Sequence, residues 1–466
     1  AKNEYAIASG YLDIFDDKLI VATGDGIFLK IKLTNLLSNN EFFGEVINSN
    51  FKKIITSKEI FQKSYFGIKD IFINNNKIFV SYTNQVKENC FNTGLLVSEI
   101  NSLKEFKFRK INYSLECADK EKMDVSHGGG RIVSFDKDEI LLTSGDYYQE
   151  EKVQNLDSIF GKILKINLNN EKYEIISYGH RNPQGLKYLK DRKIIISTEH
   201  GPIGGDEINI INLNDIFLER NYGWPIASYG VGDQTNPSSI LDYEKKYSSH
   251  NDFVEPLKQY TPSIGISEII TIPNNFIKSN ENQNFFISSL GLNLSEGDLS
   301  LHYIETDNDY KEVVHSQIIP FQERIRDIIY SSKLDCFILF LESDRLFKGG
   351  PSIASLCKSW VMKKNNFKII KIDQNKSLFN YEKKILIKEL SLDLKLGYYE
   401  FEKKKPQKVK FSLEIYYEDK KPTSDKDIKS IVNYGQVVKL IKKLTKNKHY
   451  NFLETLAEDV FDILFK

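Results

Sequence analysis

No stretch of this sequence is apolar for long enough to cross a bilayer as a helix, which takes roughly 20 residues. The longest obvious apolar run, Cys336 to Leu341, is far shorter, so we expect no membrane span. Neither sign of charge is in excess, since Lys plus Arg and Asp plus Glu both number 64. This balance gives no support for nucleic acid or an anionic membrane surface as a partner. The start, Ala1-Lys2-Asn3-Glu4, lacks Met and the pattern of a signal peptide, which indicates a processed chain or a fragment.

Cysteine is scarce, and its spacing excludes two common kinds of site. The four cysteines are Cys90, Cys117, Cys336 and Cys357. None belongs to a Cys-x-x-Cys or Cys-x-x-Cys-His motif, so zinc and c-type haem have no support. Two close pairs permit two disulfides, which would suit an oxidising compartment. Four reduced, buried thiols remain the alternative.

A repeat of paired apolar runs dominates the first four-fifths of the chain. Six times a polar turn precedes a short apolar run: Lys18 to Ala22, Lys77 to Tyr82, Glu139 to Thr143, Lys193 to Thr198, Asn284 to Ser289 and Asp335 to Leu341. Second runs follow at Gly26 to Leu33, Gly94 to Ile100, Gly161 to Leu168, Glu207 to Leu213, Gly297 to Glu305 and Phe367 to Asp373. Paired strands at intervals of mostly about 50 to 60 residues are typical of propeller blades. The fold class predicted is therefore a six-bladed β-propeller over residues 1–375, because an array of β-sandwiches gives no reason for this period.

The pattern changes after a polar stretch at residues 376–382, which we interpret as a linker. Alternating apolar residues from Leu386 to Leu396, and again from Val409 to Tyr417, predict two half-buried strands. Helical periodicity follows in Asp427 to Lys446 and in Asn451 to Phe465. Residues 383–466 are therefore predicted to form a separate, small α+β domain.

Three motifs in the repeat resemble a known family. They are Tyr178-Gly-His-Arg-Asn-Pro-Gln-Gly-Leu186, Glu199-His-Gly-Pro-Ile-Gly-Gly-Asp-Glu-Ile-Asn209 and Asn221-Tyr-Gly-Trp-Pro225. In order and spacing they resemble the signature of the soluble quinoprotein glucose/aldose sugar dehydrogenases, the glucose/sorbosone dehydrogenase family. The resemblance implies a six-bladed propeller that holds pyrroloquinoline quinone (PQQ) and calcium. It also implies oxidation of an aldose sugar at C1, an external electron acceptor, and a periplasmic or extracellular location.

The resemblance assigns catalytic and cofactor-binding roles. His127, in Ser126-His-Gly-Gly-Gly-Arg131, matches the base that takes the sugar's proton, although alone it would fit a polar turn as well. Arg181 is expected to assist catalysis, because a guanidinium can lie against a quinone and bind its carboxylate. The implied cofactor contacts come from five residues, namely Arg181, Asn182, His200, Arg324 and Arg326. Arg324 and Arg326 share one face of a strand, and a surface arginine pair is the alternative.

Calcium requires hard oxygen ligands, and the resemblance places them in two sets. Backbone carbonyls of the Gly201-Pro202 step match those near the cofactor. The acidic pair Asp206-Glu207, with Glu207 as the ligand, and the Tyr222 carbonyl match a second, structural site. A solvated acidic turn is the alternative for this pair.

Three positions depart from the family pattern. His200 stands where the glucose enzymes usually carry Gln, and Gly145-Asp146 continues with two tyrosines rather than the usual Arg/Gln-Gly. Gly291 stands near the end of a strand where the family typically has a lysine that binds the quinone. Loss of one charge-assisted contact costs about 1.5–3 kcal/mol, or more than about tenfold in affinity.

Residues 383–466 resemble dihydroneopterin aldolase, a folate-pathway enzyme of the tunnelling fold that assembles into rings. The resemblance rests on Gly397-Tyr-Tyr-Glu-Phe-Glu402, Val432-Asn-Tyr-Gly435 and Phe452-Leu-Glu-Thr-Leu-Ala-Glu458. It implies pterin binding by Glu402, Tyr434, Leu453 and Glu454, and Glu454 also fits a capping box with Asn451. The family's last strands, with its catalytic lysine, have no counterpart, so we expect an incomplete domain that binds at most and associates through an open sheet edge.

Three functions follow as hypotheses. The first is an aldose dehydrogenase dependent on PQQ and calcium, fused to the aldolase-like domain. The second is a propeller that binds a ligand after losing PQQ. The third is a dihydroneopterin aldolase or pterin-binding protein with a non-catalytic propeller, which would place the chain in the cytoplasm.

Overall fold

The computed structural model describes residues 9–37, 44–55, 67–230, 250, 252–274, 276, 283–291, 293–342, 352–357, 383–397, 403, 405–417, 434–446 and 448–465. The chain divides into two compact units, Ala1–Lys376 and Ser377–Lys466. In the described ranges, no helix is both long and apolar enough to cross a membrane.

The described part of the first unit contains six predominantly antiparallel sheets, numbered here in chain order. Sheet 1 contains Gly10–Phe15, Lys18–Thr23, Phe28–Lys32, Glu45–Ser49 and the short parallel strand Glu105–Phe106. Sheet 2 contains Ile68–Asn74, Lys77–Lys87, Cys90–Glu99, Ala118–Asp119 and Arg109–Ile111. Sheet 3 contains Gly129–Asp136, Glu139–Ser144, Lys162–Asn167 and Tyr173–Tyr178.

The remaining sheets follow the same plan. Sheet 4 contains Pro183–Leu189, Ile194–Glu199, Asp206–Asn212 and Lys258–Tyr260. Sheet 5 contains Ile266–Thr271, Gln283–Ser289, Ser300–Thr306 and Val313–Pro320, and sheet 6 contains Arg324–Ser331, Cys336–Glu342 and Ser352–Cys357. Short α-helices occupy Phe51–Ile54 and Glu150–Val153, and 3-10 turns occupy Leu33–Leu37, Lys120–Lys122, Val125–His127, Lys190–Arg192, Phe217–Glu219 and Leu294–Glu296.

Each of the six predicted apolar runs is the second strand of a sheet, so this part of the repeat is confirmed. The polar turns before them set the hairpins. Asn75 and Asn76 both have positive φ, 49° and 56°, which suits the two-residue turn between Ile68–Asn74 and Lys77–Lys87. The predicted strand Phe367 to Asp373 lies outside the described residues.

The second strands are apolar on both faces because each sheet is covered on both sides. In Lys77–Lys87, Ile78 and Val80 pack into one core cluster, whereas Phe79 packs into another. Side chains that alternate along a strand thus fill two different inter-sheet layers.

The first strands of the sheets form a closed ring. Each lies against the first strand of the next sheet, and that of sheet 6 lies against that of sheet 1. Across this last junction, the backbone N–H of Leu12 donates to Oδ2 of Asp327 over 2.7 Å. The ring therefore directs residues from six sheets toward one axis.

A buried charge cluster occupies that axis. The guanidinium of Arg131 lies 3.2 Å from Asp70, 2.8 Å from Glu268 and 2.8 Å from Asp327. These carboxylates also accept backbone N–H groups, including that of Ile132. Removing one member of a buried ion cluster leaves the other charges without partners, which is strongly destabilising. The cluster therefore holds the first strands of sheets 2, 3, 5 and 6 in register.

Of the four cysteines, Cys90 and Cys117 form a disulfide across 27 residues. The alternative of four reduced thiols is therefore wrong. Cys336 and Cys357 are partners in the register of adjacent antiparallel strands, and the side chain of Cys357 lies outside the described part.

The second unit has the predicted strands and helices. Lys383–Leu396 pairs antiparallel with Gln407–Tyr417, and helices span Tyr434–Thr445 and Leu453–Phe465. The first half of the predicted helix from Asp427 lies outside the described residues. The sequence did not suggest the short strand His449–Tyr450, which pairs in parallel with the end of Lys383–Leu396. A core of Leu394, Leu396, Val437, Ile441, Tyr450, Leu456 and Val460 holds these elements together.

Candidate active site

His127 lies at the end of the 3-10 turn Val125–His127, just before the first strand of sheet 3. Asp124 caps this turn by accepting the backbone N–H of Ser126 over 2.8 Å. The imidazole is 7% exposed, with Nδ1 3.0 Å from Oδ1 of Asp146. On its other side, Nη2 of Arg181 donates to Nε2 over 3.3 Å. Since a carboxylate accepts and a guanidinium only donates, the ring carries its proton on Nδ1 and presents a lone pair at Nε2.

Asp146 orients three groups at once. Oδ1 also accepts the backbone N–H of Tyr148 over 3.0 Å, and Oδ2 accepts Nε1–H of Trp224 over 2.7 Å. Burial alone would raise the pKa of Asp146, but His127, Arg181 and the backbone N–H of Tyr148 lower the pKa overall. The carboxylate is therefore ionised and fully buried beside the imidazole.

Arg181 lies between His127 and the loop that follows sheet 4's second strand. Nη1 donates to the carbonyls of His200 and Gly201 over 3.2 and 2.6 Å. The guanidinium carbon lies 5.4 Å from the centre of the Trp224 ring. The Nε atom of Arg181 is buried and has no hydrogen-bond partner among the described residues. This N–H can therefore donate to an acceptor on a bound ligand.

Asn182 and His200 lie beside Arg181 and the loop that carries His127. Oδ1 of Asn182 accepts the backbone N–H of Gly129 over 3.2 Å, and its Nδ2 donates to the Ser126 carbonyl over 3.1 Å. The Asn182 amide therefore fixes the loop that carries His127. Burial lowers the pKa of His200 to about 4, and the charges of Arg181 and Arg326 act in the same direction, which keeps His200 neutral.

Arg324 and Arg326 share one carboxylate. Nε of Arg326 donates to Oε1 of Glu342 over 2.5 Å, and Nε and Nη2 of Arg324 donate to Oε2 over 3.1 and 3.0 Å. Arg326 also reaches Oε1 of Gln184 over 3.4 Å, and Gln184 donates to Asn182 over 2.9 Å. The structure thus links Arg326 to the His127 loop, through Gln184 and Asn182.

The residues expected to bind calcium line a narrow cleft beside Arg181. The cleft includes Glu199, His200, Gly201, Pro202, Glu207, Tyr222 and Trp224. Nδ2 of Asn209 donates to Oε1 of Glu199 over 2.5 Å and to Oε2 of Glu207 over 3.2 Å, so two buried carboxylates lie side by side. Burial raises the pKa of Glu207, and the charge of Glu199 adds to this rise, although His250 at 3.1 Å opposes it. No group of three or more His, Cys, Asp or Glu side chains within the described ranges is arranged to hold a metal.

A sequence model described as glucose/sorbosone dehydrogenase matches residues 47–346, more than half of the chain. The chain belongs to the glucose/sorbosone dehydrogenase family. A second model, described as dihydroneopterin aldolase, matches residues 385–466, so the chain joins such a domain to the dehydrogenase-like one.

Curated and solved relatives agree with this assignment. The aldose sugar dehydrogenase YliI of Escherichia coli is 35% identical over 119 residues, covering 23% of this chain and 31% of the relative. Quinoprotein glucose dehydrogenase B of Acinetobacter calcoaceticus is 31% identical over 134 residues, covering 22% and 27%. A solved glucose dehydrogenase aligns with a TM-score of 0.55 at 19% identity, covering 74% of this chain and 96% of that one, which shows a shared fold. The chain spans about half or less of the length of the first curated relatives that it matches.

For the second unit, the dihydroneopterin aldolase of Haemophilus influenzae is 28% identical over 81 residues, 17% of this chain and 69% of the relative. Tyr434 and Glu454 lie in the first turns of the two helices, with side chains outside the described part, and Glu402 lies outside it altogether. Leu453 is 56% exposed. The pterin contacts expected of Glu402, Tyr434 and Glu454 therefore lie outside the described side chains and stay a prediction.

Gly291 stands where the family resemblance leads us to expect a lysine. The space beside it is filled by the carboxylate of Asp298. A Cβ added to Gly291 would lie 2.0 Å from Oδ2 of Asp298. A lysine lies elsewhere at the axis: Lys69, on the first strand of sheet 2, donates from Nζ to the Val125 carbonyl over 2.8 Å. A Cβ at Gly128 would lie 2.3 Å from Nζ, so the glycine after His127 makes room for this amino group.

Sequence reasoning missed Asp146 as a site residue, and it also missed Glu342, Trp224 and Lys69. Asp146 had a signal, since an aspartate directly after an apolar strand and a glycine is placed to be buried at a strand end. Glu342 is the last residue of the apolar strand Cys336–Glu342 and so also lies at a strand end. Trp224 and Lys69 have no local signal that separates them from core residues.

Proposed function

We propose that this chain is a PQQ- and calcium-dependent aldose sugar dehydrogenase whose six sheets are the blades of a β-propeller. The observation that carries the proposal is the line Asp146–His127–Arg181 at what we call the mouth of the ring, the end defined by these three residues. His127 Nδ1 lies 3.0 Å from Oδ1 of Asp146, and His127 Nε2 lies 3.3 Å from Nη2 of Arg181. In this proposal residues 1–375 form the propeller, 376–382 a linker and 383–466 a tunnelling-fold domain.

The residues at the mouth fit a flat, anionic cofactor. Arg181 has a buried Nε donor without a partner in the described part of the chain. Arg324 and Arg326 bring two positive charges to the single carboxylate of Glu342. Guanidinium groups bind carboxylates with paired N–H donors, so Arg181, Asn182, His200, Arg324 and Arg326 would hold the cofactor. When bound, PQQ supplies an ortho-quinone that accepts the two electrons and the hydrogen from the sugar carbon.

His127 is proposed to act as the general base. Nε2 carries the lone pair that takes the proton of the sugar's C1 hydroxyl as that carbon is oxidised. The imidazolium that forms lies 3.0 Å from the ionised carboxylate of Asp146, which stabilises it. Arg181, which donates to the same Nε2 in the described structure, must yield this position to the sugar hydroxyl.

The cleft beside Arg181 supports a calcium proposal. Glu207 and Glu199 lie side by side and buried, each 3.1 Å from one histidine, His250 and His180, and a divalent cation would further stabilise these two like charges. Oδ1 of Asn209 is buried and accepts no hydrogen bond from any described residue. Glu207 and the Tyr222 carbonyl are therefore proposed to hold one ion. The Gly201-Pro202 carbonyls are proposed for the other, where Arg181 now donates to Gly201 over 2.6 Å.

The test is reconstitution of the purified chain with PQQ and calcium, followed by aldoses and an artificial electron-accepting dye. We expect cofactor absorbance to remain after gel filtration and the dye to be reduced in proportion to aldose. Absorbance retained without dye reduction would favour a propeller that binds PQQ without turnover. Loss of the absorbance would favour the second hypothesis, a binding module that has lost the cofactor, which the filled space at Gly291 motivates.

A periplasmic or extracellular location is part of the proposal. The Cys90–Cys117 disulfide supports it, since disulfides persist in oxidising compartments. The sugar and an external electron acceptor are the proposed partners.

The match of residues 385–466 to dihydroneopterin aldolase favours a second candidate function in pterin chemistry. We propose pterin binding by Glu402, Tyr434, Leu453 and Glu454, with a homo-oligomer formed through this domain. Release of glycolaldehyde from dihydroneopterin would support an aldolase, and a cytoplasmic location would then apply. Binding of the pterin without turnover would support a binding domain alone.

A further inference from the structure

Two adjacent tyrosines at the active site have an unfavourable backbone conformation. Tyr147 and Tyr148 have φ of 49° and 60°, a left-handed conformation that is uncommon for bulky residues and favours glycine. Strain of this kind persists only where the surrounding structure imposes it, and it clusters at functional sites. The pair directly follows Asp146, the carboxylate that holds His127.

Tyr147 has a structural role. It is fully buried, and its hydroxyl lies 2.8 Å from Oγ1 of Thr93. Its backbone N–H donates to the His127 carbonyl over 3.3 Å, and its ring packs edge-on against Phe160. These contacts anchor the turn and account for its conformation.

Tyr148 is placed differently. It is only partly buried, and its backbone N–H is held by Asp146 over 3.0 Å. Its ring centre lies 4.2 Å from that of the His127 imidazole, with the planes at 60°. One carboxylate therefore fixes the base His127, the Trp224 indole and the backbone of Tyr148 in one arrangement.

We propose that Tyr148 is the aromatic platform of the sugar subsite, on which the C–H face of an aldopyranose packs while His127 meets its C1 hydroxyl. The polarised C–H bonds of a sugar ring match the negative face of an aromatic ring. An apolar platform directly beside the base restricts the sugar to the orientation that brings C1 to Nε2. This inference rests on the proposed function and adds the residue that binds the substrate ring.

Tyr148→Gly tests the proposal because it separates binding from stability. Glycine relieves the backbone strain, so the variant is expected to unfold at a higher temperature than the parent chain. At the same time it loses the platform, so its dissociation constant for glucose, measured by saturation-transfer NMR, is expected to rise about 5- to 10-fold. Where dye reduction is measurable, KM rises by the same factor. Tyr148→Phe keeps the ring and is expected to bind glucose within about 2-fold of the parent.

Lys193→Gly is the matched control. Lys193 is exposed, has φ of 54° at the end of a 3-10 turn and lies outside the site. It should raise the unfolding temperature and leave glucose binding unchanged. Equal glucose affinity in Tyr148→Gly and the parent overturns the proposal, as does a fall in kcat with unchanged KM, which would show that Tyr148 only positions His127. Failure of every variant and the parent to reduce dye, with the binding difference present, contradicts the proposed oxidation and leaves the platform supported.

Discussion

The carboxylate of Asp146 lies 3.0 Å from Nδ1 of His127, on the side of the ring away from Arg181. The first prediction concerns this pair. Asp146→Asn removes the charge that stabilises the imidazolium and offers an amide donor that favours the wrong tautomer. We expect kcat for aldose oxidation to fall about 10²- to 10⁴-fold, with little change in PQQ affinity. A kcat within about twofold of the parent would contradict the role of Asp146 in orienting His127 and stabilising its imidazolium.

The second prediction concerns the shared acceptor of the arginine pair. Arg326 is 3% exposed and pairs with Glu342, so Glu342→Gln leaves a buried charge without its counter-charge. We expect the free energy of unfolding to fall by about 3 kcal/mol, measured by denaturant titration. Asp17→Asn, which removes an exposed ion pair with Lys18, is the control and should change it far less, because solvent screens exposed ion pairs. Similar losses in both variants would contradict the assignment of Glu342 as a buried counter-ion.

The third prediction concerns pH. Burial lowers the pKa of Lys69 to about 7, and the charge of Arg326 adds to this shift while Asp124 opposes it. An anionic cofactor beside Arg326 would favour the protonated amine, so binding takes up a proton and PQQ affinity falls as pH rises from 7 toward 9. Lys69→Met should weaken binding at pH 6 and flatten this dependence.

Lys162→Met is the matched control for that experiment. Burial also lowers the pKa of Lys162 to about 7, but this amine donates to the carbonyls of Val153 and Phe160, over 2.7 and 2.6 Å. Its replacement should leave the pH dependence of PQQ binding intact. Because the folded pKa of Lys162 is below that of an unfolded lysine, the parent should gain stability relative to Lys162→Met between pH 7 and about 10, by at most about 1.4 kcal/mol per pH unit.

The fourth prediction concerns the Cys90–Cys117 disulfide, which closes a loop across 27 residues. Replacing both cysteines with serine is expected to lower the free energy of unfolding by about 3 kcal/mol. Reduction of the parent chain should reproduce the loss in a denaturant titration, and a variant as stable as the parent would contradict a structural role for the bond.

The second strands of the six sheets were predictable because their burial is two-sided and their sequences are continuously apolar. The first strands were not, because charged residues such as Lys69, Asp70 and Arg131 interrupt their pattern. These charges are compensated only across the ring: Arg131 meets Asp70 from 61 residues away and Asp327 from 196 residues away. Local periodicity carries no information about partners at such separations.

The residues of the candidate site also divide into those that the sequence pointed to and those that only the structure revealed. The resemblance singled out His127, Arg181, Asn182, His200 and Arg326, which the structure places in one connected cluster. It did not single out Asp146, which orients His127, or Glu342, which neutralises part of the arginine charge. The two tyrosines after Gly145-Asp146 were only a departure from a motif in the sequence, whereas the structure shows one of them against the imidazole.

The central claim is that the mouth of the ring binds an anionic quinone through Arg181 and Arg326 and delivers a sugar to His127. The most direct measurement is a titration of the parent chain and of Arg326→Met with PQQ in the presence of calcium, followed by absorbance after gel filtration and by dye reduction with aldose. The account predicts stoichiometric retention and aldose-dependent turnover in the parent, and weaker retention by at least about tenfold in the variant. Equal retention in both proteins, or none in the parent, would contradict it.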